Sequence, residues 1–130
     1  MRLVNSAASA ASFVMSVAET TLFSPAWSTN GNFETYYSFQ NTTGATLNGS
    51  LRLLDPAGVT MATMPVVVPP GATAGLNTAT MGMTRNRVGT ARFTHDGPPG
   101  AFIAEAAIAN FALSRPYIQP VKFAAVREAR

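Results

Sequence analysis

The chain contains one histidine, His95, which stands beside Asp96 at the mouth of a Gly-Pro-Pro-Gly turn. An imidazole next to a carboxylate is the raw material of a general base, but a hydrolytic triad also needs a nucleophile held nearby. The many serines and threonines include none in a Gly-x-Ser-x-Gly elbow. His95 and Asp96 are therefore expected to form a solvated strand end, with Asp96 capping the turn. The carboxylates Glu19, Glu34, Asp55, Asp96, Glu105 and Glu128 are spread so widely that spacing alone suggests no paired acid and base. One His, no Cys and no Asp-x-Asp loop give no metal-ligand spacing. The absence of Cys also removes thiolate nucleophiles and disulfides. Gly71-Ala72-Thr73-Ala74-Gly75 lacks the lysine of a phosphate loop and reads as a turn leading into a strand. No catalytic residue, metal ligand or cofactor is expected, and the chain is read as a non-enzyme.

Aromatic side chains are the remaining candidates: Trp27, Phe33, Tyr36, Tyr37 and Phe39. Adjacent Tyr36 and Tyr37 must face opposite sides of a strand, so one packs inward and the other is exposed. An exposed Tyr together with Trp27 could stack on a sugar ring or anchor a protein contact. Trp27, Tyr36 and Tyr37 are the contact residues of that reading; the simpler alternative is that these aromatics cover the end of a core. Asn41-Thr42-Thr43 and Asn48-Gly49-Ser50 fit the glycosylation sequon, which has meaning only in a host that glycosylates such sites.

These residues need a scaffold, and 130 residues fit one domain with one core. A hydrophobic content of 47% against only 12% charged residues excludes disorder and leaves a surface of Thr, Ser, Asn and Gly. Thr suits a half-buried pleated strand, so composition leans to β. The net charge of +3 comes from basic residues scattered from Arg2 to Arg130, without the clustered cationic face that nucleic acid requires. No apolar stretch reaches the roughly 18 residues of a membrane helix. At the N-terminus Asn5, Ser6, Ser9, Ser12 and Ser16 interrupt what would be the apolar centre of a secretory signal. Residues 1–19 are read as a linker or edge strand and residues 20–130 as the domain.

Turn signals punctuate the chain at Asn30-Gly31, Asn41 to Gly44, Asp55-Pro56-Ala57-Gly58, Pro69-Pro70-Gly71 and Gly97-Pro98-Pro99-Gly100. Strands are predicted between them at 35–40, 49–54, 59–68, 73–78, 88–95 and 101–111, with a last strand at 121–127. Seven or eight short strands at this spacing indicate a single antiparallel two-sheet sandwich. Asp55 to Gly58 suits a type I turn, and counting outward from it sets Leu54 against Val59 and Leu53 against Thr60. A hairpin across Gly97 to Gly100 would place Arg92 opposite Glu105, an opposite-charge pair serving structure rather than catalysis. The Ala104-Glu105-Ala106-Ala107 stretch also suits a helix, but the turn and the charge match favour a strand.

In pattern the chain resembles bacterial surface β-sandwich repeats of the immunoglobulin or fibronectin-like kind. The likeness covers about residues 20–111 and rests on the Thr20-Thr21-Leu22-Phe23 lead-in, Tyr36 to Asn41, Leu51 to Gly58, Val68 to Ala72, and the late pair Gly89 to Phe93 and Ile103 to Ala106. The Cys and core Trp spacing of true immunoglobulin domains is missing. The resemblance implies an extracellular, cell-surface or virion setting, with self-association into a filament or layer through edge strands or termini. A glycan- or protein-binding adhesion module using the aromatics is the alternative.

Overall fold

A computed structural model describes residues 20–112 and 114–125. Among them there is no helix, and nine strands form: β1 Thr20–Ser28, β2 Glu34–Asn41, β3 Leu47–Leu54, β4 Thr60–Val68, β5 Thr73–Asn77, β6 Val88–His95, β7 Phe102–Asn110, β8 Tyr117–Lys122 and β9 Ala124–Ala125. They make two antiparallel sheets, one in the order β4-β3-β6-β1-β9 and the other β5-β2-β7-β8. The Ala104 to Ala107 stretch lies in a strand, Phe102–Asn110, and not in a helix. The expected linker at 1–19 and the far end of the last strand lie outside the described residues.

Alternation dictates which side chains meet. On β3, Leu51 and Leu53 point inward and are fully buried while Arg52 between them is exposed; on β6, Ala91 and Phe93 do the same around Arg92. Phe39 of β2 stacks on Phe93 of β6 with ring centroids 4.1 Å apart, and Phe102 of β7 meets Phe93 edge-on at 5.0 Å. These contacts run between the sheets, so the core is the space between two pleated faces, as in a β-sandwich. Burial of each such large side chain contributes about 1.5–3 kcal/mol.

Several expectations about register are corrected. The Asp55 to Gly58 turn is present: Asp55 Oδ1 accepts the N–H groups of Ala57 and Val59, and Gly58 takes the left-handed φ of 87° that glycine permits. Asp55 N–H donates to the Val59 carbonyl at 2.8 Å, so Val59 belongs to the turn, and Leu54 faces Thr60 while Leu53 faces Ala62. The Gly97 to Gly100 turn does not close a hairpin. It carries the chain from β6 in one sheet to β7 in the other, so Arg92 and Glu105 are not partners: Arg92 sits between Phe23 and Arg52, and Glu105 between Ser38 and Lys122.

Strand β1 is additional to the strands that the turn signals delimit. It carries a bulge between Ser24 and Trp27 that places Pro25 and Ala26 out of register and turns both Ser24 and Trp27 inward. The last strand begins four residues earlier than expected, at Tyr117, because Pro120 is tolerated in β8 at the edge of its sheet.

Candidate functional site: the outer face of the four-stranded sheet

A sandwich of this size should present polar residues on both outer faces. The five-stranded sheet does so over its middle, with Thr21, Ser50, Arg52, Thr63, Arg92 and Thr94 alternating against its buried positions, while Val67 and Val88 are exposed towards its margins. The four-stranded sheet mixes polar positions, Ser38, Gln40, Thr73, Asn77, Glu105 and Lys122, with apolar ones. Its outer positions include Tyr36 on β2, Ile103 and Ala107 on β7, and Ile118 and Pro120 on β8, with Phe111 just beyond β7. Ile103, Phe111 and Ile118 are each at least half exposed, at 50%, 55% and 54%. The rings of Tyr36 and Phe111 meet edge-on with centroids 5.6 Å apart. Small side chains at Ser38 and Ala107 leave a depression of about 640 Å³ between Tyr36, Ile103 and Pro120. Glu105 and Lys122 lie directly opposite each other in the ladder and both border it.

This arrangement can bind by exclusion of water from apolar surface. Apolar side chains exposed on an outer sheet face mark contact surfaces, here Tyr36, Phe111 and Ile118 towards one end of the sheet and Ile103 beyond Glu105 towards the other. A signal for them existed in the sequence: Ala101 to Ile108 is apolar at both parities apart from Glu105, as expected of a strand covered on both faces.

The residues singled out from the sequence separate. Trp27 is 1% exposed, and its Nε1–H donates to the carbonyls of Leu54 at 3.1 Å and Thr90 at 2.9 Å. It is core, not a contact residue. Tyr37 is 3% exposed, stacked beside Phe39, and its hydroxyl has no hydrogen-bond partner; burial pushes the phenol well above its ordinary range. Of the three aromatics only Tyr36 is at the surface, which accords with the opposite facing of the adjacent pair.

His95 is not a solvated strand end. It is 2% exposed, packed edge-on against Phe102 at 4.8 Å, and its Nδ1 accepts the Gly97 N–H at 3.1 Å. The position follows from alternation, since His95 shares the inward parity of Ala91 and Phe93. Burial lowers its pKa, with the Asp96 charge opposing. Asp96 points away from it: its carboxylate accepts the backbone N–H and the side-chain amide of Asn48, bonds that hold its pKa below the usual carboxylate value. Imidazole and carboxylate thus serve different local structures. Among the described residues no group of three His, Asp or Glu side chains converges as a metal site would require.

The opposite polar feature is a clasp at the end of the molecule where β1 turns into β2. Arg85 pairs with Glu34 and also donates to the carbonyls of Gly31 and Phe33, while Thr78 Oγ1 donates to Glu34. Thr29 Oγ1 donates to the Thr84 carbonyl and accepts the Arg87 N–H. The long connection from β5 to β6 is thereby fixed to the β1–β2 turn, and every polar group named has a partner inside the chain.

No family model matches the chain, and no curated protein matches it. Among solved structures it is similar to the crystal structure of Thermotoga maritima 1070, with a TM-score of 0.68 and 12% sequence identity over 84% of this chain and 94% of that one. At that identity the likeness bears on the fold alone, and it supports the two-sheet arrangement.

Proposed function

We propose that this chain is a non-catalytic assembly module that associates with a second copy of itself through the outer face of its four-stranded sheet. The observation that carries the reading is the group of exposed apolar side chains Tyr36, Ile103, Phe111 and Ile118 on one sheet face. A second copy is the occupant because the face is self-complementary in charge. Glu105 and Lys122 lie side by side, so a two-fold axis through the depression sets each against its opposite on the other copy. Four strands about 4.8 Å apart and averaging about seven residues give a face of roughly 450 Å² in projection, at the small end of dimer interfaces.

Association through edge strands is less well supported than association through this face. Pro65 in β4 and Pro120 in β8 each remove a donor from an edge, and β5 is only five residues long. The adhesion reading through loop aromatics loses its main support with Trp27 and Tyr37 inside the core. A setting in a surface layer, an extracellular appendage or a virion remains part of the proposal, supported by the pattern likeness. The same holds for the immunoglobulin or fibronectin-like fold type: the β6-to-β7 crossover between sheets and the β7–β8 hairpin favour it, while the position of β6 between β3 and β1 is its point of tension.

The test is light scattering over a concentration series for the parent and for the double variant Ile103→Asp/Ile118→Asp, with circular dichroism to verify folding. A dimer or larger species for the parent and a folded monomer for the variant is the expected result. A parent that stays monomeric at millimolar concentration, or a variant that associates equally well, overturns the proposal.

A further inference from the structure

The outer face of the five-stranded sheet, on the other side of the molecule, has a chemistry of its own. In the β3–β6 register Arg52 and Arg92 stand directly opposite each other, and both are exposed. Like charges in that relation repel across a ladder. Among the described residues neither guanidinium makes an ion pair, the one ion pair there being Arg85 with Glu34. Arg92 is held in place by the ring of Phe23, whose centroid lies 5.7 Å from its guanidinium carbon. The adjoining row across the sheet is hydroxylated, Thr21, Thr94 and Ser50, with the Thr21 and Thr94 hydroxyls 3.5 Å apart. Arg52, Ser50 and Thr94 border a depression of about 440 Å³ that ends, away from the arginine, at Asn48 and Asp96.

We propose that this face binds an acidic oligosaccharide, a sugar carboxylate lying between Arg52 and Arg92 and neighbouring sugar hydroxyls meeting Ser50, Thr94, Asn48 and Asp96. Arg52 and Arg92 are opposite in the ladder, with the Arg92 guanidinium leaning over Phe23 on β1, and the two planar forks suit a carboxylate whose charge offsets theirs. The hydroxyl and amide lining suits a polyhydroxylated chain. The depression runs from Arg52 to Asp96, and among the described residues no further Lys or Arg side chain lines it, so the face suits a sugar chain with isolated carboxylates and repels a run of phosphates. The inference stands apart from self-association, since the two faces are on opposite sheets.

Calorimetric titration with a hexamer of alternating glucuronic acid and N-acetylglucosamine, its methyl ester and a single-stranded DNA of equal charge tests it, with amide shifts to locate the contact. Binding of the acid but not the ester, shifts at Ser50 and Thr94, and an affinity loss of about tenfold or more in Arg52→Gln and in Arg92→Gln are expected. The variants are compared at equal folded fraction, and Arg52→Lys, which keeps the charge without the fork, should fall between. Failure of the acid hexamer to bind at millimolar concentration overturns the proposal. So does indifference to both substitutions, or DNA binding as tight as the hexamer with the same arginine dependence.

Discussion

Replacing Trp27 by Phe removes a side chain that joins three strands, and the cost can be worked from its surroundings. The indole lies inward from β1, over Gly89, and its N–H is shared between the Leu54 carbonyl on β3 and the Thr90 carbonyl on β6. Phe keeps the aromatic core contact but loses the N–H and about two ring carbons, the latter worth roughly 1.5 kcal/mol at about 0.8 kcal/mol per buried carbon. Leaving buried carbonyls without their donor adds about 1–2 kcal/mol. The total of about 3 kcal/mol is a large part of the roughly 5–15 kcal/mol that holds a domain together, and corresponds to a melting point lower by about 10 °C. Urea denaturation followed by far-UV circular dichroism measures it, fluorescence being lost with the one tryptophan. In the parent that tryptophan should emit to the blue and resist iodide quenching. A loss under about 0.5 kcal/mol, or ready quenching in the parent, would refute the placement of Trp27 in the core.

Asn41 is fully buried and saturated, its Nδ2 donating to Ala45 and Val68 carbonyls and its Oδ1 accepting from Thr43 N–H and Oγ1; Asn41→Ala should cost about 2–4 kcal/mol by chemical denaturation, and the sequon there should stay unmodified by mass spectrometry in a glycosylating host. A Cβ at Gly89 would overlap the Leu54 carbonyl and crowd Trp27 Nε1, whereas one at Gly75 meets only the Tyr37 carbonyl at 3.7 Å; Gly89→Ala should lower stability by about 3 kcal/mol or more while Gly75→Ala stays within about 1 kcal/mol. Because burial depresses the His95 pKa below its ordinary 6.5, the unfolded chain binds that proton more readily. Stability should be full above about pH 6.5 and fall as the solution is acidified through and below it, and His95→Gln, measured at pH 7 and 5, should flatten that slope.

How far these features were legible depends on whether local pattern or long-range pairing decides them. Strand β6 has the bounds its alternation gave, Val88 to His95, because Ala91 and Phe93 alternate cleanly with Arg92 and Thr94. Pro25 and the bulge beside it concealed β1: an inserted residue reverses the parity, so Ser24 and Trp27, three apart, share a face that a period of two would deny them. The Gly-Pro-Pro-Gly sequence specifies a turn but not a hairpin, since turn chemistry is local and does not say whether the next strand pairs with the last or enters the other sheet. The Arg92 and Glu105 pairing fell with it. The apolar outer face escaped notice for a related reason: Ile103, Phe111 and Ile118 are far apart in alternation terms, and only the β7–β8 register and the end of β7 bring them to one side.

Strand β6 lies between β1 and β3, and Thr20 is paired with His95. A chain leaving the ribosome therefore exposes the inward faces of β1 and β3 for the whole interval in which residues up to His95 are being made, with the stacking partner of Phe39 among the missing pieces. Loop closure over some seventy residues places this chain among the slow, non-local folders. The period of greatest exposure to misassociation is thus during synthesis and refolding, not after the native sheets have formed.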